Sequence, residues 1–390
     1  MSYFLSEEQN IAVASLRRFL DNDIDPIVTQ YRDQFIPKPV MHEILQGLSQ
    51  FGLVVAPLPE DVGGLGMDWG FHLRLLEEVS YTSADLGFPI FINTLIAQGM
   101  AGLSGANEKI KEKYLPGLMS GEIIGCSGIS EPDTGSDAAS MKMRAKIEDD
   151  AYVLNGEKMW VTNGVYSDFC IVICWVGEGE NTRVTQIILD REIHGYEPKN
   201  ISKIGLKSQS TTQIHFDNVR VPIADSYTRS GSSHENNFKG TFSTFELGRI
   251  HVAAICCGIA RRALDEAIRY SQERVQHGKA IGGHQLIADK IAVMATELDA
   301  ARLLALRAAA MVDQGIRCSK EISMAKWYAN EMAVKATQLA MAIHGGNGLT
   351  TEFLVEKLAR DALVCNIPDG TPEIQKLIIA RKLTGIDAFK

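Results

Sequence analysis

The stretch AYVLNGEKMWVTNG, residues 151–164, breaks the texture of the chain on either side of it. Apolar and β-branched residues flank Asn155-Gly156. That dipeptide supplies the positive φ angles of a two-residue hairpin turn, so the pattern predicts a hairpin with arms Ala151–Leu154 and Lys158–Val161. Further β-type runs follow at Phe169–Trp175 and Thr185–Leu189, and Gln213–Phe216 alternates before Val219-Arg220-Val221-Pro222. The block 121–228 therefore reads as a small β-barrel-like domain.

Outside this block the pattern is helical. In Glu7–Phe19 the apolar residues Ile11, Val13, Leu16 and Phe19 recur at helical spacing, with Ser6 as a start signal. Helical patterns resume near Phe71–Ser80, Thr94–Leu103 and Lys109–Met119, the last capped in the Asn107 region, while PLPEDVGGLGMD (57–68) is a Gly/Pro loop. Beyond the β block, Phe245–Gln272, Gln285–Asp313, Ser319–His344 and Thr351–Val364 are long and periodic, as in an antiparallel four-helix bundle. The expected fold is mainly α with a central β domain. It comprises an N-terminal helical domain over 1–120, the β domain over 121–228 and a C-terminal four-helix bundle over 229–390. A chain of 390 residues suits two or three packed units.

Composition narrows the function. A net charge of −9 argues against a nucleic-acid partner. No apolar run approaches the roughly 20 residues of a membrane span, so no membrane association is expected. The opening MSYFLSEEQNIAVASLRRFL carries Glu7 and Glu8 and lacks a continuous apolar core, so it is not a secretion signal. The seven cysteines form no CxxC pair and sit in apolar surroundings, as expected of small buried hydrophobes in a reducing, cytoplasmic setting. No metal site is expected.

Four segments carry candidate chemistry. Ser130-Glu131-Pro132-Asp133-Thr134-Gly135-Ser136-Asp137 packs turn formers and small hydroxyls. It is either a plain turn or a loop that offers backbone N–H groups to an anion or a cofactor edge. In Lys158–Gly164, Trp160 could cover a planar ring and Thr162 donate to it, or Trp160 could be a core residue at a strand end. Glu273-Arg274-Val275-Gln276-His277-Gly278-Lys279, followed by His284-Gln285, places a forked cation suited to a pyrophosphate, or one that simply complements a helix C-terminus. The fourth segment begins at His344-Gly345-Gly346-Asn347-Gly348, where glycines permit close backbone approach. It ends in Pro368-Asp369-Gly370-Thr371-Pro372-Glu373. There Thr371 can cap a last helix with Pro372 at its first position, just after the carboxylate of Asp369. The glycine run follows no strand, which disfavours a Rossmann site.

In order and spacing, these segments resemble the acyl-CoA dehydrogenase family from end to end. The resemblance is carried by Gly128-Ile129-Ser130-Glu131-Pro132 through Asp137, KMWVTNG, GLKSQSTTQIHFDNVRVP, ERVQHGKAI, Gly345-Gly346-Asn347-Gly348 with Glu352, Lys357 and Asp361, and DGTPEIQKLIIARKLTG. It implies an FAD enzyme, assembled as a homotetramer, that oxidises the α and β carbons of an acyl-CoA and passes electrons to an electron-transferring flavoprotein. By the same resemblance Ile129, Ser130, Ser136, Trp160, Thr162 and Thr371 contact FAD, while Arg274, Gln285, Gly345 and Gly346 reach it across a subunit interface. Ser136, Arg249, Asp369 and Gly370 would face the substrate. Asp369 would be the catalytic base that takes the α proton as the β hydrogen leaves as hydride.

This chain departs from the family pattern at several points. Asp369 stands where the family generally has Glu, Pro368 where an aromatic residue is frequent, His277 where Phe is common, and Ala342 where Gln is common; Thr134 also replaces a smaller residue. Some relatives place the base just before the arginine matching Arg249, but here that position is Gly248. The shorter carboxylate points to a bulky, branched or alicyclic acyl group. Alternatives are an acyl or aminoacyl group on a carrier protein, a flavin monooxygenase or oxidase, and a flavoprotein with a binding role only.

Overall fold

The computed structural model describes residues 5–103, 107–177, 182–225 and 234–389, with 225 and 234–245 as backbone alone. The expected boundary at 228/229 lies outside these residues. In the N-terminal segment, α1 (Glu7–Phe19) opens with a reciprocal capping box between Ser6 and Gln9 and runs through a π-turn into α2 (Asp25–Gln30). Then come α3 (Lys38–Ser49), α4 (Trp69–Thr82), α5 (Ala84–Ala101) and α6 (Glu108–Ser120). The sequence reading names no helix at α3. Its signal is nevertheless present, since Met41, Ile44, Leu45 and Leu48 share one face and are buried. α5 is one helix where the reading gave only its second half, and it carries Pro89 inside it.

The central strands are β1 (Gly125–Gly128), β2 (Arg144–Glu148), β3 (Ala151–Thr162), β4 (Phe169–Val176) and β5 (Arg183–Asp190), then the short α7 (Arg191–His194), β6 (Glu197–Asn200) and β7 (Thr211–Pro222). They form one sheet in the order β1-β4-β2-β3-β7-β6, with β5 on the other edge of β4. The expected hairpin at Asn155-Gly156 is not there. β3 runs unbroken through the dipeptide, because β7 offers an antiparallel partner along its whole length. The dipeptide is absorbed as a register shift between Leu154 and Gly156, with Gly156 at φ 134°. β1 and β2 share one edge of β4, against residues 169–172 and 175–176. The loop 129–143 leaves the sheet between these two pairings.

The C-terminal segment begins with α8 (His234–Glu273). The two-residue strands β8 (Val275–Gln276) and β9 (Lys279–Ala280) follow, then α9 (Gln285–Asp313), α10 (Ser319–His344), α11 (Val355–Cys365) and α12 (Pro372–Thr384). Thr371 occupies the N-cap position of α12, but its hydroxyl makes no capping bond to the backbone, contrary to the reading above.

One hydrophobic core runs from Val13 and Leu76 in the first helices through Ile255, Ala301 and Ala333 to Cys365 in the last. Charge follows the same route: the buried Glu77 and Glu78 of α4 pair with Arg302 of α9 and Arg261 of α8. The sheet keeps a separate core around Tyr152, Val172 and Phe216. A third cluster joins Ile96, Tyr114 and Leu115 to Phe169 and Ile188. All seven cysteines are buried thiols. Among the described residues, no helix is long and apolar enough to cross a membrane.

Candidate active site

On the sheet side, the site is built around a buried ion pair. Lys158 of β3 is fully buried, and its Nζ donates to the Glu131 carboxylate at 2.8 Å and to the Ile129 carbonyl at 2.9 Å. The Glu131 carboxylate also accepts from the backbone N–H of Lys142 and Met143, at 2.6 and 3.0 Å. Met159 N–H donates to the Ser130 carbonyl at 2.8 Å. Burial lowers the Lys158 pKa, and Glu131 opposes that. The Ile129-Ser130-Glu131 segment is thus pinned to the strand, with Ile129 and Ser130 half-buried, Glu131 buried, and Ser136 exposed further along the loop.

Two residues past Lys158 the strand is distorted again. Trp160 falls in the second register shift, between Lys158 and Val161, and adopts φ 63°. A bulky side chain in the left-handed region is an outlier, and its indole is 56% exposed. A large ring held outward at a backbone cost, beside Thr162 and the pinned loop, fits a planar partner such as an isoalloxazine. Asn163 follows at φ 70°, fully buried, donating to the carbonyls of Pro89 (3.4 Å) and Gly125 (3.2 Å). Asn93 of α5 accepts from Gly125 N–H at 3.1 Å. α5 is therefore tied to the strand edge that carries Trp160.

The other face of α5 leads to Asp369. Phe91 packs against the bare backbone of Gly248 on α8. A methyl group there would meet the Phe91 ring at 3.0 Å and Asp369 Oδ2 at 2.9 Å. Asp369 lies on the turn between α11 and α12, at φ 55° and followed by Gly370 at φ 92°. Two successive left-handed residues must be held by their surroundings. The Asp369 carbonyl accepts from Arg249 Nε (3.2 Å) and Gln375 Nε2 (3.0 Å). The Gly370 carbonyl accepts from Gln375 Nε2 (3.0 Å) and from Nζ of the fully buried Lys326 (2.5 Å). Asp369 Oδ2 is shielded from solvent and has no hydrogen-bond partner. Burial pushes this carboxyl up to about 6, while Lys326 and Arg249 pull the other way. Such a group is an acceptor at neutral pH that holds a proton well once it has one.

The remaining predicted residues lie elsewhere. Arg274 directly follows α8 and Gln285 begins α9, both exposed. Gly345 and Gly346 form an exposed turn with nothing near the position of a Cβ. Asn347 hydrogen-bonds the Tyr270 hydroxyl, and His344 stacks on Tyr270 at 4.2 Å, so this turn sits beside Arg274 at one end of the bundle. Along α8, 26 residues separate Gly248 from Arg274, about 39 Å at 1.5 Å per residue. The structure thus places Ile129, Ser130, Trp160 and Thr162 on the sheet side, Arg249, Asp369, Gly370 and Thr371 at the α11–α12 turn, and Arg274, with the Gly345-Gly346 turn beside it, at the far end of α8 from Gly248. Sequence reasoning missed Lys326, Gln375, Phe91 and Asn163, whose parts depend on distant segments.

Comparison with known proteins follows the same division. Models of the acyl-CoA dehydrogenase N-terminal, middle and C-terminal domains match residues 6–122, 126–219 and 238–384. The chain is 35% identical over 385 residues to an acyl-CoA dehydrogenase of Bacillus subtilis (strain 168), covering 98% of this chain and 99% of that protein. Its structure is similar to a glutaryl-CoA dehydrogenase from Mycobacterium smegmatis in complex with FADH2, at TM-score 0.91 and 25% identity over 100% of this chain and 98% of the other. It is also similar to the prolyl acyl carrier protein oxidase AnaB, at TM-score 0.87 and 27% identity over 97% and 100%.

Proposed function

This chain belongs to the acyl-CoA dehydrogenase family, and from that premise we propose that it is an FAD enzyme that dehydrogenates a bulky, branched or alicyclic acyl-CoA to the 2-enoyl thioester, with Asp369 as base. The observation that carries the reading is the unpartnered, solvent-shielded Oδ2 of Asp369 on a turn clamped by Arg249, Gln375 and Lys326. Bound FAD supplies the hydride acceptor for the β hydrogen. In this reading, Trp160, Thr162, Ile129, Ser130, Ser136 and Thr371 form the flavin rim. Arg249 and Gly370 shape the thioester side, with Ser136 at its mouth.

Removing an α proton builds negative charge on the thioester carbonyl, so the proton must leave toward a group already placed for it. Asp369 takes it and becomes a neutral acid, the form that burial favours. An aspartate carboxylate falls short of a glutamate's by roughly 1.5 Å, one carbon–carbon bond. Here it lies back against the backbone of Gly248. The space this leaves supports a substrate with bulk at or near the α carbon.

The proposal extends to assembly. Arg274, Gln285, Gly345 and Gly346 lie too far from the Asp369 turn to serve the same flavin, which supports a homotetramer whose neighbouring subunit presents them. An electron-transferring flavoprotein is the proposed acceptor. The domain division at 1–120, 121–228 and 229–390 is part of the same reading. Likeness to a carrier-protein oxidase favours one second reading, in which the acyl or aminoacyl group arrives on a carrier protein.

Anaerobic titration of the FAD-loaded enzyme with straight, branched and alicyclic thioesters, each on CoA and on carrier protein, tests these readings by flavin bleaching. In the base test, Asp369→Asn retains FAD and substrate binding but loses flavin reduction by a factor on the order of 10² or more. Reduction at the wild-type rate in that variant rules out Asp369 as base.

A further inference from the structure

Lys326 is the single cation of the run ISMAKWYA in the first half of α10, and its side chain is fully buried. A buried ammonium is costly unless its hydrogen-bonding capacity is met. Its Nζ donates to the carbonyls of Gly370 and Asn366, at 2.5 and 3.5 Å, the two ends of the turn that carries Asp369. Its neighbour one turn on, Asn330, donates to the carbonyl of Cys365, where that turn begins. α10 thus grips the turn from below at three carbonyls. Nothing in the flavin rim or the thioester side calls for a cation there.

We propose that Lys326 is the positioning residue of the reaction: it locks the Asn366–Gly370 turn in its doubly left-handed form and sets, through its charge, the pH at which the Asp369 base becomes available. The inference rests on Asp369 being that base. Two independent features of the geometry support it. First, Asp369 and Gly370 hold φ values of 55° and 92°, a conformation that relaxes unless their carbonyls are captured. Second, Lys326 holds the carbonyl of Gly370 and Arg249 that of Asp369, so among the described residues these are the two cations brought to the carboxylate's turn. Arg249 in turn is shared with Glu246, and the Cys256 and Cys365 thiols flank Lys326. In so dry a setting a charge is felt strongly. Lys326 does not touch the acyl group. It acts through the turn.

The test compares FAD-loaded wild type with Lys326→Met, which removes charge and donor, and Lys326→Gln, which keeps a donor. The limiting rate of anaerobic flavin reduction, the substrate Kd and the pH profile are read for each. In Lys326→Met the limiting rate falls on the order of tenfold, because the base is displaced by a fraction of an ångström, while the Kd changes little. The rising limb of its pH profile moves up by about one unit or more, because the ionised base has lost a cation. Lys326→Gln recovers part of the rate and keeps the displaced limb. Lower thermal stability with an unmoved limb and rate, in whichever variant folds, overturns the proposal. Asp369→Asn separates the two levels. Reduction persisting there defeats the base reading itself, whereas reduction lost there but unmoved at Lys326 defeats only this inference.

Discussion

Gly248→Ala places one methyl group directly against the Asp369 carboxylate. The added carbon would lie 2.9 Å from Asp369 Oδ2 and 3.0 Å from the Phe91 ring. Phe91 cannot retreat, because it is buried and packed on Phe88 and His251, with ring centroids 6.0 and 5.2 Å away. The carboxylate must yield by roughly 0.5 Å to restore ordinary contact. If a misplacement of 1 Å costs about 10²-fold, half of that predicts a loss on the order of tenfold in the limiting rate of flavin reduction. Stability behaves differently. Replacing glycine inside a helix gains about 1 kcal/mol, which offsets overpacking of about 1–3 kcal/mol, so the melting temperature moves little. Stopped-flow reduction of the FAD-loaded variant under anaerobic conditions, beside a thermal melt, reads both. Wild-type reduction with full FAD content would refute the claim that the carboxylate rests on bare helix backbone.

Other expected outcomes follow from the same contacts. Flavin reduction rises with pH through about 6, as the Asp369 carboxyl loses its proton, and the rise is absent in Asp369→Asn. The folded carboxyl keeps its proton to higher pH than the unfolded one, so this group costs stability as pH rises through that range. Asp369→Asn therefore melts higher than wild type at pH 7 and gains less at pH 4. Lys158→Met strands Glu131 and frees the Ile129 carbonyl; breaking such a buried pair costs about 3–5 kcal/mol, and equilibrium dialysis should show FAD released more readily. Lys357 donates to both Asp85 and Asp361 in the core, so Lys357→Met lowers stability to chemical denaturation by a similar amount, about 3–5 kcal/mol.

The helices were legible because most carry an apolar stripe that the sequence states outright, and α3 shows that stripe too. Asn155-Gly156 misled because a local turn signal competes with a distant strand. β7 lies more than 50 residues away, and its pairing converts a turn into a bulge. Asp369 could be singled out by its place before a proline-started helix within a family-like segment. Lys326 and Gln375 could not. Each looks like an ordinary polar residue on a helix until the turn at 366–370 is folded against it. Trp160 stood out as a ring beside a turn, but its left-handed backbone is set by how β3 meets β7.

The core shared by the first and last helices has a consequence during synthesis. Arg17 and Arg74 already reach Glu77 and Glu78, but Arg261 and Arg302, and much of the apolar surface that covers α4, come with α8 and α9. Between the end of α5 at Ala101 and the start of α8 at His234 lie 132 residues of chain. At about 5–20 residues per second, the ribosome takes roughly 7–26 s merely to reach the first residue of α8. Through that interval the sheet can close around its own interior while the leading helices wait with apolar faces exposed and their buried carboxylates only partly paired. The nascent chain is thus a client for holding chaperones, and a fragment ending near residue 120 would be expressed as an aggregate rather than as a folded helical domain.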